Sequence, residues 1–114
     1  MARGDFAAAH EANRHALEIN PESDYALADL AALQVLEGNA AAAVGTLRKV
    51  DAGGIRLSLL AIAEHTLGHA QKSQQALDEA IGTHAQDAAY QIAEAYAWRG
   101  QKDKAIEWLE RAYR

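Results

Sequence analysis

Three short segments, LEGN at 36–39, LGHA at 67–70 and WRGQ at 98–101, decide the fold of this 114-residue chain. A fourth segment of this kind, RGDF, stands at 3–6. The glycines of the four segments are separated by 34, 30 and 32 residues. Because glycine adopts positive φ without steric cost, it can end one helix and turn the chain into the next. The spacing therefore predicts a repeated unit of two helices.

Small and apolar residues recur at fixed distances from these glycines. Those five and twelve positions after each glycine are Ala9, Ala16, Ala43, Val50, Ser73, Ala80, Ala105 and Ala112. Further apolar positions precede the later glycines by 7, 8 and 11 residues. Differences of three and four place each set on one helix face. The pattern predicts seven helices at 5–19, 24–36, 40–51, 55–67, 70–82, 86–98 and 102–113. Pro21 should stop the first helix, whereas Gly53, Gly54 and Gly82 should mark later repeat ends.

The composition favours the same class of fold. Alanine supplies 28 of the 114 residues, aromatic residues are 6%, and there is one proline. Alanine is the strongest helix former, whereas sandwiches and barrels need β-branched and aromatic residues with frequent turns. The mean hydropathy is -0.26 although half of the residues are apolar. We therefore expect one all-α domain in which small side chains let helices approach closely.

The repeated residues resemble those of the tetratricopeptide repeat, a family of helix pairs with a period of about 34 residues. The matching residues are Gly4, Phe6, Ala9, Ala16, Leu17, Ile19 and Pro21, then Ala93, Tyr96, Gly100, Ala105 and Ala112. Val50 and Ser73 replace alanines of the family pattern in the middle of the chain. The resemblance implies a right-handed α–α superhelix, or solenoid, of about seven helices over 1–114. It implies a half repeat with only its second helix at 1–22, and repeats at 23–53, 54–84 and 85–114.

The same resemblance implies a non-catalytic scaffold that binds a protein or peptide. The segments at 95–100 and 105–113 are also similar to the last repeats of bacterial proteins that carry a winged-helix or nucleotide-cyclase domain. An alternative function is therefore a regulatory arm that acts on its own chain. With the first half repeat incomplete, we expect either a fragment of a longer protein or an end covered by self-association.

In this family the first helix of each repeat lines a concave groove. The positions that match it are Tyr25, Ala28, Ala32, Val35, Ile55, Ser58, Ile62, His65, Asp87, Tyr90, Glu94 and Ala97, with Trp98 beside them. The groove lacks the basic residues with which relatives hold a peptide carboxylate, so an amphipathic helix or apolar segment is the expected partner. Tyr25, Tyr90 and Trp98 are the expected anchors. The alternative is that these stripes pack against neighbouring helices as core.

The last helix carries an apolar stripe of its own. Ile106, Leu109 and Tyr113 lie at helical spacing, with Trp108 beside them. Solenoids need a polar capping face at each end, and this stripe lacks one. We therefore expect these four residues to form a surface for self-association, as in a homodimer.

The charges and cysteines exclude several kinds of function. The net charge of -5 arises within residues 1–47, which hold two basic and seven acidic residues, and no basic stripe favours direct binding of nucleic acid. Cysteine is absent, which excludes disulfides and thiolate zinc sites. No apolar run is long enough for a membrane span, and no signal peptide is recognisable, so we expect a cytoplasmic protein.

No catalytic motif is recognisable. The serines Ser23, Ser58 and Ser73 have no base nearby in sequence, and no phosphate-binding loop or metalloprotease motif occurs. His65 and His69 are four residues apart, but Gly68 lies between them and further ligands are lacking. We therefore expect no enzyme activity, no metal and no cofactor.

Overall fold

Seven helices account for about three quarters of the chain. The computed structural model describes residues 3–113, with the side chains of residues 7–113, and contains no strand within that part. The prediction of an all-α chain with seven helices is confirmed there; the side chain of Phe6 lies outside the described residues. The helices are α1 (Arg3–Ile19), α2 (Asp24–Leu36), α3 (Ala40–Leu47), α4 (Gly53–Thr66), α5 (Ala70–His84), α6 (Ala89–Trp98) and α7 (Lys102–Ala112).

Three glycines end helices in the same way. Gly38, Gly68 and Gly100 have φ values of 86°, 82° and 79°. After α4, the N–H of Gly68 donates to the His65 carbonyl at 3.0 Å and that of His69 donates to the Glu64 carbonyl at 2.8 Å. The same pair of bonds follows α2 and α6, and it satisfies carbonyls that the helix end leaves free. The prediction that these glycines join helix pairs is confirmed.

The third helix is shorter than predicted. It ends at Leu47 instead of 51, and two turn bonds follow it, one of them from the Val50 N–H to the Leu47 carbonyl at 3.1 Å. The Asp24 carboxylate then accepts hydrogen bonds from the backbone of Asp51 at 2.9 Å and Ala52 at 3.0 Å. These bonds hold the turn against the start of α2. The Asp24 side chain thus binds backbone 27 residues later, in the segment that follows α3.

The glycines expected at two repeat ends lie inside helices. Gly53 and Gly54 begin α4, and Gly82 belongs to α5, which continues to His84. α6 accordingly begins at Ala89 rather than 86. Glycine is needed at position 54 for a steric reason, because a Cβ placed there would lie 2.5 Å from the Cβ of Ala88. The start of α4 therefore approaches the α5–α6 turn too closely for any side chain.

The helices form three hairpins in a row. The pairs are α2 with α3, α4 with α5 and α6 with α7, while α1 packs on α2. α4 contacts α2 on one side and α6 on the other, so these three helices lie side by side. Within residues 3–113, the first and third hairpins do not contact each other. The result is a repeat-like helical array with principal extents of 35 × 26 × 24 Å.

Alanine is concentrated where helices cross. The most buried alanines are Ala31, Ala43, Ala61, Ala63, Ala80, Ala93 and Ala95. Leu47, Leu77 and Ile92 fill the larger gaps between them. Two buried polar side chains tie neighbouring helices together: Asn13 donates to the Ala26 carbonyl at 2.8 Å, and Ser73 donates to the Ala61 carbonyl at 2.7 Å. Small side chains thus set the helix separation that also positions the clefts.

Candidate functional site

The side-by-side helices α2, α4 and α6 enclose a cleft of about 230 Å³, which we call the central cleft. Its lining residues are Tyr25, Ala28, Asp29, Ala32, Ile55, Ser58, Leu59, Ile62, Gln91 and Glu94. Seven of these ten belong to the predicted groove. The structure therefore brings together residues that the sequence places on three separate helices.

Small and aliphatic side chains form the floor of the central cleft. Ala28 and Ile62 are buried, and Ala32 and Ile55 are partly buried. Tyr25 stands at the rim with 79% of its surface exposed. A floor of this kind offers apolar contact to a ligand, while the exposed aromatic ring can close over it.

The polar groups of the central cleft are acidic or neutral. Asp29 on α2 and Glu94 on α6 supply two carboxylates, and no arginine or lysine lines the cleft. Burial raises the pKa of Glu94 above its ordinary value of 4.5, because a carboxylate loses solvation in such surroundings. Ser58 is only 1% exposed, and its Oγ has no hydrogen-bond partner in the described part of the chain.

Sequence reasoning missed Asp29, Leu59 and Gln91. Asp29 lies four residues after Tyr25, and Gln91 lies three before Glu94. Leu59 is likewise four residues after Ile55. Side chains three or four apart share a helix face. A wider stripe on each helix would therefore have included all three.

Several predicted groove residues lie outside the central cleft. Val35 is buried in the core, in agreement with the alternative that residues of these stripes pack against neighbouring helices. His65, Tyr90, Ala97 and Trp98 are exposed but do not line this cleft. The Trp98 indole N–H donates to Thr66 Oγ1 at 3.0 Å, which holds the ring beside the end of α4. Asp87 instead pairs with His84 at 3.1 Å.

A second cleft, between α1 and α2, adjoins the first. It encloses about 550 Å³ and shares Tyr25, Asp29 and Ala32 with the central cleft. Its remaining lining is mostly alanine and leucine, with Asn13 as its one amide side chain. The two clefts therefore lie next to each other along α2, with Tyr25, Asp29 and Ala32 bordering both.

A third cleft lies on the opposite face of α4. It encloses about 610 Å³ between α3, α4 and α5, and three cationic side chains line it: Arg48, Arg56 and Lys72. Arg56 also donates to the Val50 carbonyl at 3.1 Å. Glu64 also lines this cleft, whose net charge is positive, whereas the net charge of the central cleft is negative.

The expected self-association surface at α7 is only partly present. Ile106 and Tyr113 are 55% and 80% exposed, and Leu109 is partly buried. Trp108 was predicted to join them, but it is only 6% exposed and belongs to the core. The Arg111 guanidinium covers its ring at 4.4 Å from the centroid. The exposed part of the stripe is therefore narrower than predicted.

Four of the five histidines lie within 4 Å of a carboxylate oxygen. His69 Nδ1 lies 3.1 Å from Glu64 Oε1, and His10 pairs with Glu37. No three His, Asp or Glu side chains among the described residues converge as metal ligands. No helix in the same part of the chain is both long and apolar enough to cross a membrane.

Known proteins offer no direct guide to the function. The chain matches no model of a known protein family and no curated protein sequence. The tetratricopeptide resemblance therefore stays a prediction, and the central cleft is the feature from which a function can be argued.

Proposed function

We propose that this chain is a non-catalytic helical-repeat scaffold that binds an apolar segment of a protein partner in the groove across α2, α4 and α6. The observation that carries the proposal is the central cleft, where an apolar floor and an exposed tyrosine meet. Clefts with these features are the usual sites at which a helix or extended peptide docks.

A solenoid of the tetratricopeptide kind is part of this proposal. Its support is the recurrence of one capping geometry at Gly38, Gly68 and Gly100, after the first helix of each hairpin. Further support is that each hairpin contacts only the adjacent hairpin in the described chain. Contacts confined to neighbours are typical of repeat arrays, which present extended concave surfaces.

The size of the groove favours a segment over a small molecule. The two clefts that Tyr25 borders lie next to each other, and together they extend from α1 to α6. A segment of two or three helical turns would place one side chain in each cleft and pack against the tyrosine ring. Aromatic residues at such positions commonly contribute much of the binding energy.

A display selection of random helical peptides against the purified chain tests this function. Ala32 lines both clefts, so Ala32→Trp should fill the groove. Ala41 is exposed on α3 outside these clefts, which makes Ala41→Trp a matched control. We expect selected peptides to lose at least about tenfold in affinity for the first variant and to bind the second normally.

Amide chemical shifts of the bound chain provide the second measurement. The largest changes should fall on α2, α4 and α6. A selection that yields no binder, or binders that both tryptophan variants retain equally, would contradict the proposed function.

A further inference from the structure

We infer that the central cleft selects a segment that carries a lysine or arginine, whose cationic head sits between Asp29 and Glu94. The inference rests on the proposed function and specifies the chemistry of the partner. A segment of this kind would combine apolar contacts along the groove with one positive charge paired to the two carboxylates.

The charges of the cleft are the first argument. Asp29 and Glu94 come from helices on either side of α4, and neither makes an ion pair within 4 Å among the described side chains. No basic side chain lines the cleft. Asp29 and Glu94 are exposed residues that border an apolar floor, and their like charges together attract a cation.

The Ser58 hydroxyl is an independent argument. Its oxygen is buried and lacks a hydrogen-bond partner, although Ser58 lines the same cleft. Buried hydroxyls are nearly always hydrogen-bonded, so the Ser58 oxygen is an acceptor that a polar group of a ligand could satisfy. An ammonium or guanidinium N–H is a suitable donor to this oxygen, and neither cation needs a hydrogen-bond donor from the protein.

The space available fits one side chain. The cleft of about 230 Å³ holds the equivalent of roughly eight water molecules. A whole helix would not enter it, whereas a lysine or arginine stem can cover Ala28 and Ile62 with its methylene groups. The backbone of the segment would then lie across Tyr25 and reach the cleft between α1 and α2.

Other cationic or anionic occupants fit less well. A divalent metal would need more ligands than two carboxylates, and the described residues bring no third acidic or histidine side chain to them. An acidic segment would meet like charges here, and would find its complement in the cleft of Arg48, Arg56 and Lys72 on the other face of α4.

The peptides obtained in the selection test the inference directly. We expect them to share one lysine or arginine at a fixed place in an apolar face. Replacing that residue by norleucine, which keeps the stem and removes the charge, should weaken binding at least tenfold. Replacing it by glutamate should abolish binding. Affinity for the cationic peptide should also fall as salt is raised, while that of the norleucine peptide should not.

Variants of the chain complete the test. Asp29→Asn combined with Glu94→Gln should bind the cationic and norleucine peptides equally. Glu79→Gln combined with Glu110→Gln removes two exposed carboxylates outside the cleft and should leave the preference intact. If the variant of Asp29 and Glu94 still prefers the cationic peptide as the parent does, the assignment of these carboxylates is overturned. It is also overturned if the variant of Glu79 and Glu110 loses that preference to the same extent.

The selection also separates the two proposals. Binders that map to the groove but share no cationic residue would overturn this inference and leave the proposed function standing. A selection that yields no binder would overturn both this inference and the proposed function.

Discussion

Two glycines should respond in opposite ways to the same substitution. A Cβ added at Gly54 would lie 2.5 Å from the Cβ of Ala88, whereas carbon atoms pack best at about 3.5–4.0 Å. Ala88 cannot rotate away, so α4 and the α5–α6 turn would have to separate by about 1 Å. Such overpacking costs about 1–3 kcal/mol, and the lower chain entropy of alanine recovers about 0.4–1 kcal/mol. We expect Gly54→Ala to lower the free energy of unfolding by about 1–2 kcal/mol.

Gly82 provides the matched control. It lies inside α5 and has no heavy atom within 4 Å of an added Cβ. Gly82→Ala should therefore stabilise the chain by about 0.5–1 kcal/mol. The stability of Gly53→Ala should lie between those of the other two variants, because the atoms nearest its Cβ belong to the His84 ring, which can rotate away. At about 4 °C per kcal/mol, the Gly54 and Gly82 variants should differ in Tm by roughly 6–12 °C.

Urea and thermal unfolding followed by circular dichroism will measure these differences. The unfolding slope with urea should be the same in all three variants, so that the midpoints report stability. A Gly54→Ala variant as stable as Gly82→Ala would refute the close approach of α4 to the α5–α6 turn. The position of α4 relative to α6, and therefore the width of the central cleft, would then need to be revised.

Four further substitutions test a helix cap, the cleft and a core hydrogen bond. Gly68→Ala should destabilise the chain by about 1–2 kcal/mol in urea unfolding, because its φ of 82° is unfavourable for a side chain; an unchanged midpoint would contradict the cap. Ser58→Ala should leave stability unchanged or raise it by up to about 1 kcal/mol, since its hydroxyl has no partner, and should weaken peptide binding in calorimetry. Ser73→Ala, which removes a 2.7 Å hydrogen bond to the Ala61 carbonyl, should lower the free energy of unfolding by about 1 kcal/mol. For Glu94, burial raises the pKa in the folded chain, so the folded state holds a proton that the unfolded state has released, and stability falls as pH rises from 4.5 through the raised value. Glu94→Gln should remove that part of the pH dependence and be at least as stable as the parent at pH 7, and a variant that loses stability at pH 7 would show that this carboxylate is structurally needed.

Local signals in the sequence predicted the helices well. A glycine followed by a stripe of small residues specifies a cap and a helix face, and both depend on neighbours within about one turn. The turn after α3 was beyond such reasoning, because its backbone bonds to the Asp24 carboxylate, 27 residues earlier in the chain. The same applies to Gly54, whose requirement comes from Ala88.

The cleft was predicted in part, for a related reason. The spacing of Tyr25, Ala28 and Ala32 indicates a face of α2, but it does not say how deeply that face is buried. Val35 continues the stripe into the core, whereas Asp29 lies beside it and reaches the cleft. The difference depends on how α2 packs against α4. Trp108 illustrates the same limit, because its burial depends on packing against α6 rather than on its place in the α7 stripe.

Stability and binding make opposite demands on the small residues of the groove. Ala28 and Ala32 let α2 approach α4, as alanines elsewhere let the core close, but here no larger side chain fills the remaining space. Apolar volume added in that space would bury more surface and stabilise the free chain by about 25 cal/mol per Å². If the sequence had evolved for stability alone, it would therefore carry larger residues at these two positions and a hydrogen-bond partner for Ser58. Substitutions that raise Tm and abolish peptide binding together would show that the cleft is retained at the expense of stability, as expected of a binding site.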